Sequence, residues 1–133
     1  MTLKFMLDTN MVSQLLRGHA KVLQQVTSAP MESLCISAVT EGELAFGLAK
    51  RPGATKLANT VGEFLRRIEI CAWDSDVAQA YGVLRADIEK TGLSLAPLDM
   101  MIAAHAQCVG ATLVTNDSAF KRIHALTVVD WTK

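Results

Sequence analysis

The sequence predicts one α/β domain over residues 1–133, in three layers, with a mostly parallel central sheet of about five strands between helices. Three observations predict it. The length of 133 residues suits a single domain with a buried core. Half of the residues are hydrophobic and a fifth are charged, which is typical of a folded globular protein. Short apolar runs also alternate with segments of helical spacing, which indicates a parallel sheet covered on both faces.

Five short apolar runs rich in strand-forming residues predict the strands of that sheet. Their ranges are Leu3–Leu7, Leu34–Ser37, Ile68–Ala72, Thr112–Thr115 and Thr127–Val129. Because these runs are continuously apolar, we expect strands that are buried on both faces of the sheet.

Three longer helices are predicted from apolar residues that recur three or four positions apart. One apolar face extends over Leu57–Ile68, and a second extends over Val77–Ile88. A third helix should run over Pro97–Val109, because proline suits the first turn of a helix and Gly110 suits the position after its end. No segment between these elements is long enough to serve as a domain linker.

The first acidic residue after a predicted strand is Asp8, in the stretch "MLDTN". A helix over Met11–Arg17 should follow, and Thr9 or Asn10 can cap its N-terminus. Taken alone, Asp8 is better explained as part of this capping segment than as a functional residue.

Glu43 has two explanations that the sequence leaves open. Thr40-Glu41-Gly42-Glu43 has the pattern of a capping box, in which the Glu43 carboxylate would bond back to the Thr40 amide. If Ser37 caps the helix instead, the helix begins earlier and Glu43 lies in its second turn with a free carboxylate.

Two further carboxylates also have ordinary structural explanations. Asp99 should lie in the first turn of the helix that begins at Pro97, where the helix dipole favours a negative charge by about 0.3–1 kcal/mol. Asp117 follows the fourth predicted strand and can cap a short helix over Ser118–Arg122.

The positions of these four carboxylates nevertheless predict a shared site. Asp8 and Asp117 follow the carboxyl ends of strands, whereas Glu43 and Asp99 lie near the starts of helices. In an open parallel sheet these ends form one rim, where ligands bind. Four carboxylates there would repel one another unless a cation neutralised them, and oxygen ligands suit Mg²⁺ or Mn²⁺. Such a site fits metal-assisted hydrolysis of a phosphodiester.

Four segments of the chain together resemble the acidic motifs of PIN-domain ribonucleases, most closely the VapC-type toxins of bacterial toxin–antitoxin pairs. In chain order they are "MLDTNMVSQLLRG", "ISAVTEGELAFGLAKR", "LAPLDMMIAAHA" and "TLVTND". The resemblance covers essentially the whole chain and implies a PIN-like fold. It also implies an endoribonuclease with a Mg²⁺ or Mn²⁺ site, which inhibits translation and growth by cutting structured or translation-related RNA such as transfer RNA.

The resemblance assigns catalytic and metal-binding roles to the four carboxylates. Asp8, Glu43 and Asp99 match the core acidic positions of the family, and Asp117 matches the fourth, which is less uniform. We expect Asp8 and Asp99 to bind the principal ion, while Glu43 and Asp117 complete the cluster or orient the attacking water.

Three polar neighbours are expected to support this site. Thr115 and Asn116 match family positions that help to hold metal-bound water. Asn10 is expected either to hold the Asp8 carboxylate by a hydrogen bond or to cap the helix.

Basic residues near these motifs are candidate contacts for RNA phosphates, although exposed basic residues most often only face solvent. The better candidates are Lys50, Arg51, Lys121 and Arg122, because they follow motif-bearing segments. The chain has 13 basic and 13 acidic residues, so its zero formal charge argues against a purely electrostatic nucleic-acid binder.

The partners expected from the resemblance are a small VapB-like antitoxin and a second copy of the chain. An apolar groove between the helix over Met11–Arg17 and the helix near Thr40 would suit an amphipathic antitoxin helix. In related toxins such a segment can send a basic side chain into the acidic site. No apolar stretch is long enough to span a bilayer and no secretory leader is evident, so a cytoplasmic protein is expected. The three cysteines are expected to be small buried hydrophobic residues.

Two non-enzymatic alternatives also fit an α/β domain with acidic residues at its strand ends. A phospho-receiver-like signalling module would also bind Mg²⁺ beside an aspartate at the strand ends. It should, however, have paired acidic residues after the first strand, and Asp8 has no acidic neighbour. The second alternative is a PIN-like domain that acts only as a scaffold, which the complete acidic set disfavours.

Overall fold

A computed structural model describes residues 3–133 as one sheet of five strands with helices on both of its faces. The strands are β1 Phe5–Leu7, β2 Leu34–Ser37, β3 Glu69–Cys71, β4 Thr112–Val114 and β5 Val128–Val129. The α-helices are α1 Thr9–Leu16, α2 Ala20–Ser28, α3 Ala38–Ala49, α4 Thr55–Arg67, α5 Ser75–Thr91 and α6 Pro97–Val109. Short 3-10 helices cover Met31–Ser33 and Ser118–Arg122.

The sheet is entirely parallel, which confirms and sharpens the predicted fold class. Its strand order is β3-β2-β1-β4-β5, with Phe5 of β1 opposite Leu34 of β2 and Thr112 of β4. From β1 the chain adds β2 and then β3 on one side of that strand. It then crosses over and adds β4 and β5 on the other side of β1. This reversal creates a switch point between β1 and β4, where ligands bind in open α/β sheets. Phospho-receiver domains have the strand order 2-1-3-4-5. Because the order here is different, the receiver alternative is wrong.

The core lies on both faces of the sheet because successive strand residues point to opposite sides. Met6 of β1 packs in the cluster formed with α5 and α6, which includes Leu84 and Ile102. The next residue, Leu7, packs in the opposite cluster with Met11 of α1 and neighbouring apolar residues. The predicted burial on both faces is confirmed for β2 and β4, whose residues are all buried. It is wrong for the edge strands, because Glu69 of β3 is exposed and β5 is only partly buried.

Helix α2 is an element that the sequence pattern did not predict. Only Val22 of its nine residues is buried, so it gives little apolar periodicity. Gly18 separates it from α1 with a φ of 82°, a left-handed conformation that favours glycine. The His19 ring then caps α2, accepting a hydrogen bond at Nδ1 from the Val22 N–H at 3.4 Å.

The predicted burial of all three cysteines is only partly correct. Cys35 is buried in β2 and Cys71 is partly buried in β3, whereas Cys108 is exposed near the C-terminal end of α6. All three are free thiols. Within residues 3–133, no helix is long and apolar enough to cross a membrane.

Candidate active site

The structure brings all four predicted carboxylates to one cavity. This acidic cavity has a volume of about 240 Å³ and lies at the switch point between β1 and β4. Its lining residues are Asp8, Thr9, Asn10, Ser13, Glu43, Asp99, Asp117 and Phe120. Every ionisable side chain that lines it is therefore a carboxylate.

Asp8 both caps a helix and lines the acidic cavity. Its N–H donates to the Val114 carbonyl at 3.1 Å, which keeps it at the end of the sheet, and α1 begins at the next residue. Its Oδ1 accepts a hydrogen bond from the Met11 N–H at 2.8 Å. The prediction that Thr9 or Asn10 caps α1 was therefore wrong. The helix begins at Thr9, directly after Asp8, so both residues lie inside it.

Glu43 owes its free carboxylate to a similar junction. Ser37 is the last residue of β2 and caps α3, accepting a hydrogen bond at Oγ from the Val39 N–H at 3.0 Å. The helix therefore begins before Thr40, and the capping-box interpretation of Glu43 was wrong. Glu43 lies in the second turn, and its Oε1 accepts a hydrogen bond from the Thr9 hydroxyl at 2.6 Å.

Asp99 and Asp117 lie where the sequence predicted. Asp99 is in the first turn of α6, half-buried, and no side chain caps that helix. Asp117 caps the helix over Ser118–Arg122 by accepting a hydrogen bond at Oδ1 from the Ala119 N–H at 2.9 Å. The Asp117 N–H donates to the buried Thr115 hydroxyl at 3.1 Å, so Thr115 orients the turn that presents Asp117.

The hydrogen bonds of two polar neighbours differ from those expected. Asn10 donates from Nδ2 to the Asn116 Oδ1 at 3.4 Å, so it links the two segments after β1 and β4 instead of holding Asp8. Thr9 was considered only as a cap, yet it holds Glu43 and contacts the Thr40 hydroxyl at 3.2 Å. The sequence signal for Thr9 was its place beside Asp8, since both residues begin the same helix.

Burial and mutual repulsion raise the pKa of two of these carboxyls. Burial raises the pKa of Asp8 to about 6, with further contributions from the negative charges of Asp99 and Asp117. Hydrogen bonds from the Thr115 hydroxyl and the Met11 N–H act in the opposite direction. The pKa of Asp99 is raised first by burial and then by the charges of Asp117 and Glu43. The cavity therefore disfavours the ionised forms of Asp8 and Asp99.

The chemistry of this donor set fits a divalent cation with oxygen ligands. Within the described residues 3–133, no three acidic, histidine or cysteine side chains already stand together as a ready metal-ligand group. The acidic cavity instead holds carboxylates on four separate segments, and burial together with the neighbouring negative charges raises the pKa of Asp8 and Asp99. A hard cation would relieve that repulsion, whereas zinc sites usually include sulfur or nitrogen ligands that this lining lacks.

An apolar groove adjoins the acidic cavity and shares Thr9, Ser13 and Glu43 with it. This groove has a volume of about 300 Å³. Its apolar walls are Leu16 of α1, Leu44 and Leu48 of α3, and Leu57 and Val61 of α4. The predicted groove between the first helix and the helix near Thr40 is present, with α4 as a third wall that the sequence did not indicate.

The four basic residues predicted to contact RNA separate into two pairs. Lys50 and Arg51 line the apolar groove beside the acidic cavity, and the Lys50 Nζ lies 4.6 Å from the centre of the Phe46 ring. Arg122 lines a different cavity, formed with α5. Lys121 is exposed, and its charge contributes to lowering the pKa of Asp130. Of the two pairs, Lys50 and Arg51 therefore lie in the groove next to the acidic cavity.

A family model and a curated protein each match most of this chain. A family model described as "PIN domain" matches residues 5–126. The tRNA(fMet)-specific endonuclease VapC of Shigella flexneri is 32% identical over 130 residues, which is 97% of this chain and 98% of that protein.

Two solved structures are similar in fold and sequence. One is the crystal structure of VapBC2 from Rickettsia felis bound to a DNA fragment from its promoter. It has a TM-score of 0.90 and 30% identity, covering 97% of this chain and 99% of that chain. The other, DNA-bound VapBC from Salmonella typhimurium, has a TM-score of 0.90 and 32% identity, covering 98% of this chain and 99% of that chain.

The buried charge of Asp8 predicts an unusual effect of its neutralisation on stability. The folded pKa of about 6 lies above the ordinary value of 3.8, so the stability present below about pH 4 is lost as the pH rises through 6. That loss is up to about 3 kcal/mol at pH 7. Because asparagine also caps helices well, Asp8→Asn should raise the free energy of unfolding by about 1–3 kcal/mol, measured by urea denaturation at pH 7 with a chelator.

The matched control is Asp74→Asn, which exchanges the exposed cap of α5 and should change stability by less than about 0.5 kcal/mol. The parent should also gain stability between pH 7 and pH 5, and the Asp8→Asn variant should gain less. An Asp8→Asn protein that is less stable than the Asp74→Asn protein would contradict this account of the cavity.

Proposed function

This chain belongs to the PIN-domain family and is a VapC-type endoribonuclease toxin of toxin–antitoxin systems, and from this premise we propose its substrate, metal and partner. PIN nucleases are generally metal-dependent. We propose that this toxin uses Mg²⁺ or Mn²⁺ to cut a structured RNA of the translation machinery, and thereby inhibits translation and growth. Transfer RNA is the first candidate, because a relative with 32% identity is named a tRNA(fMet)-specific endonuclease.

The observation that carries this proposal is the acidic cavity. Four segments that are distant in sequence each supply one carboxylate, and two of those carboxyls have a raised pKa. A scaffold protein gains nothing from such an arrangement, because burying like charges lowers its stability. A nuclease gains a site that binds a divalent cation and a phosphate together.

Each carboxylate has a proposed role that follows from its surroundings. Asp8 is held rigidly by its capping bond to Met11, and Asp99 faces it from α6, so these two would bind the principal ion. Glu43 borders both the cavity and the groove, and we assign it to orient the attacking water and accept its proton. Asp117 completes the cluster.

A cation held by Asp8 and Asp99 would neutralise charge at the phosphate and would lower the pKa of the attacking water. The chain itself holds the other groups in place. Thr9 fixes one Glu43 oxygen, Thr115 fixes the turn of Asp117, and Asn10 joins Asn116 across the mouth of the site. We propose that Thr115 and Asn116 also hold water at the metal, and that Lys50 and Arg51 bind phosphates next to the scissile bond.

The apolar groove is the proposed docking site for a VapB-like antitoxin. The similar Rickettsia felis and Salmonella typhimurium structures are VapBC complexes. Here an amphipathic helix would lie between α1, α3 and α4 and extend towards the carboxylates. A basic side chain from that helix would neutralise them in place of the metal. The homodimer implied by the resemblance is also part of this proposal.

The proposal predicts that cleavage depends on the carboxylates of the acidic cavity. Asp8→Asn and Asp99→Asn should each lower RNA cleavage at least about a hundredfold, because each removes an anionic ligand of the ion. The measurement is to express each chain and sequence the newly formed RNA 5′ ends. Discrete ends that need Asp99 would identify the activity and its target together.

Asp87→Asn is the matched control, since Asp87 is an exposed residue of α5 that lines a different cavity. It should cut as the parent does. If a folded Asp99→Asn protein produces the same 5′ ends as the parent, the assignment fails and the scaffold alternative is favoured.

The proposed antitoxin site predicts that inhibition can be lost while cleavage is retained. Leu48→Asp places a charge in the apolar groove, outside the acidic cavity, and should weaken antitoxin binding at least about tenfold. Val109→Asp, at an exposed apolar position near the end of α6, is the control. The measurement is calorimetric titration with the product of the adjacent short reading frame. Equal affinity of both variants and the parent would place the antitoxin elsewhere.

A further inference from the structure

A fully buried polar contact joins the helices that carry Asp99 and Glu43. His105 lies on α6, six residues after Asp99, and has no solvent exposure. Its Nδ1 lies 2.7 Å from the Ser37 Oγ. Ser37 is also fully buried and caps α3, the helix of Glu43. One hydrogen bond therefore links the body of α6 to the first turn of α3.

The direction of this hydrogen bond follows from the other contacts of Ser37. The Ser37 Oγ already accepts a hydrogen bond from the Val39 N–H at 3.0 Å, which leaves its own proton free to be donated. If the His105 Nδ1 carried a proton, the buried Ser37 hydroxyl proton would have no partner. The Ser37 hydroxyl therefore donates to Nδ1, and the proton of the neutral ring is on Nε2.

The other side of the ring is buried against the segment that follows β3. The Nε2 is the buried side-chain nitrogen of residues 3–133 that has no hydrogen-bond partner of normal geometry. The Ala72 carbonyl is close enough to influence the ring, and burial lowers its pKa, so it stays neutral. Trp73 packs against it edge-on, with ring centres 5.6 Å apart. The defined contact of the ring is therefore the one on its Nδ1 side, with the Ser37 hydroxyl.

We propose that His105 is a positioning residue for the nuclease reaction. Through Ser37 it fixes the start of α3 relative to α6, and thereby fixes Glu43 relative to Asp99 across the acidic cavity. His105 does not line that cavity and does not touch the substrate. The proposal rests on the nuclease function proposed above, and it predicts an effect on turnover and little effect on substrate binding.

Two amide variants of His105 test this inference, because their side-chain amides reach the positions of different nitrogens of the histidine ring. In His105→Asn the amide oxygen can occupy the position of Nδ1 and accept the Ser37 proton. In His105→Gln the amide reaches the position of Nε2 and leaves Ser37 without its acceptor. With purified protein, Mn²⁺ and a defined RNA substrate, the asparagine variant should keep kcat within about threefold of the parent. The glutamine variant should lose about tenfold or more in kcat, with KM changed by less than about twofold.

Leu84→Ala is the control for lost stability, since Leu84 is buried in the same core and has no polar link to α3. It should lower Tm and leave kcat of the folded protein unchanged. As a measurement that does not depend on activity, hydrogen exchange of the Val39 amide should be faster in His105→Gln and unchanged in His105→Asn.

Each outcome is decisive. Equal kcat in both amide variants, or unchanged exchange at Val39 in His105→Gln, overturns the role of His105. A loss of kcat in Leu84→Ala as large as in His105→Gln would reduce that role to general stability. If the parent cuts RNA and both His105 variants cut it as well as the parent, the positioning role of His105 fails and the proposed nuclease function stands. If the parent does not cut RNA at all, the proposed function fails with it.

Discussion

The burial of mutually repelling carboxylates at one point of the sheet is the constraint on which the site depends. Asp8 is central to it, because the sheet holds its backbone and helix α1 holds its carboxylate. Losing either contact would destabilise the fold, so the Asp8 carboxylate stays buried. This burial raises the pKa of Asp8. The other carboxylates surround Asp8 from separate segments. A divalent cation bound among them would offset both their burial and their repulsion.

The strand–helix junctions are the devices that hold these charges in place. After β1 and at the end of β2, a single residue leads from the strand to the next helix and caps that helix, so no loop separates the sheet from the site. Asp8 does this at the first junction and Ser37 at the second. The second junction is fixed further by His105, and Thr9 joins the two helices through Glu43. Rigid placement of this kind is what a site for metal-assisted catalysis requires.

Much of the fold was predictable from the sequence, because apolar periodicity reflects burial on a sheet with two covered faces. The strands and helices α4 to α6 were confirmed, as was the capping role of Asp117, whereas α2 buries too little to leave a pattern. The caps of α1 and α3 were predicted wrongly, because the residue that caps depends on where strand pairing ends. The contact between Thr9 and Glu43 joins residues 34 apart, and the one between Ser37 and His105 joins residues 68 apart. Local patterns carry no information on such contacts.

The most direct test of the account is to locate the ion itself. Crystals of the parent protein grown with Mn²⁺ can be measured at a wavelength at which manganese scatters anomalously. We expect an anomalous peak in the acidic cavity, roughly 2.1 Å from carboxylate oxygens of both Asp8 and Asp99, which is the distance of direct ligation. The result that would contradict it is a protein that cuts RNA with Mn²⁺ under the same conditions while the peak lies away from these two residues.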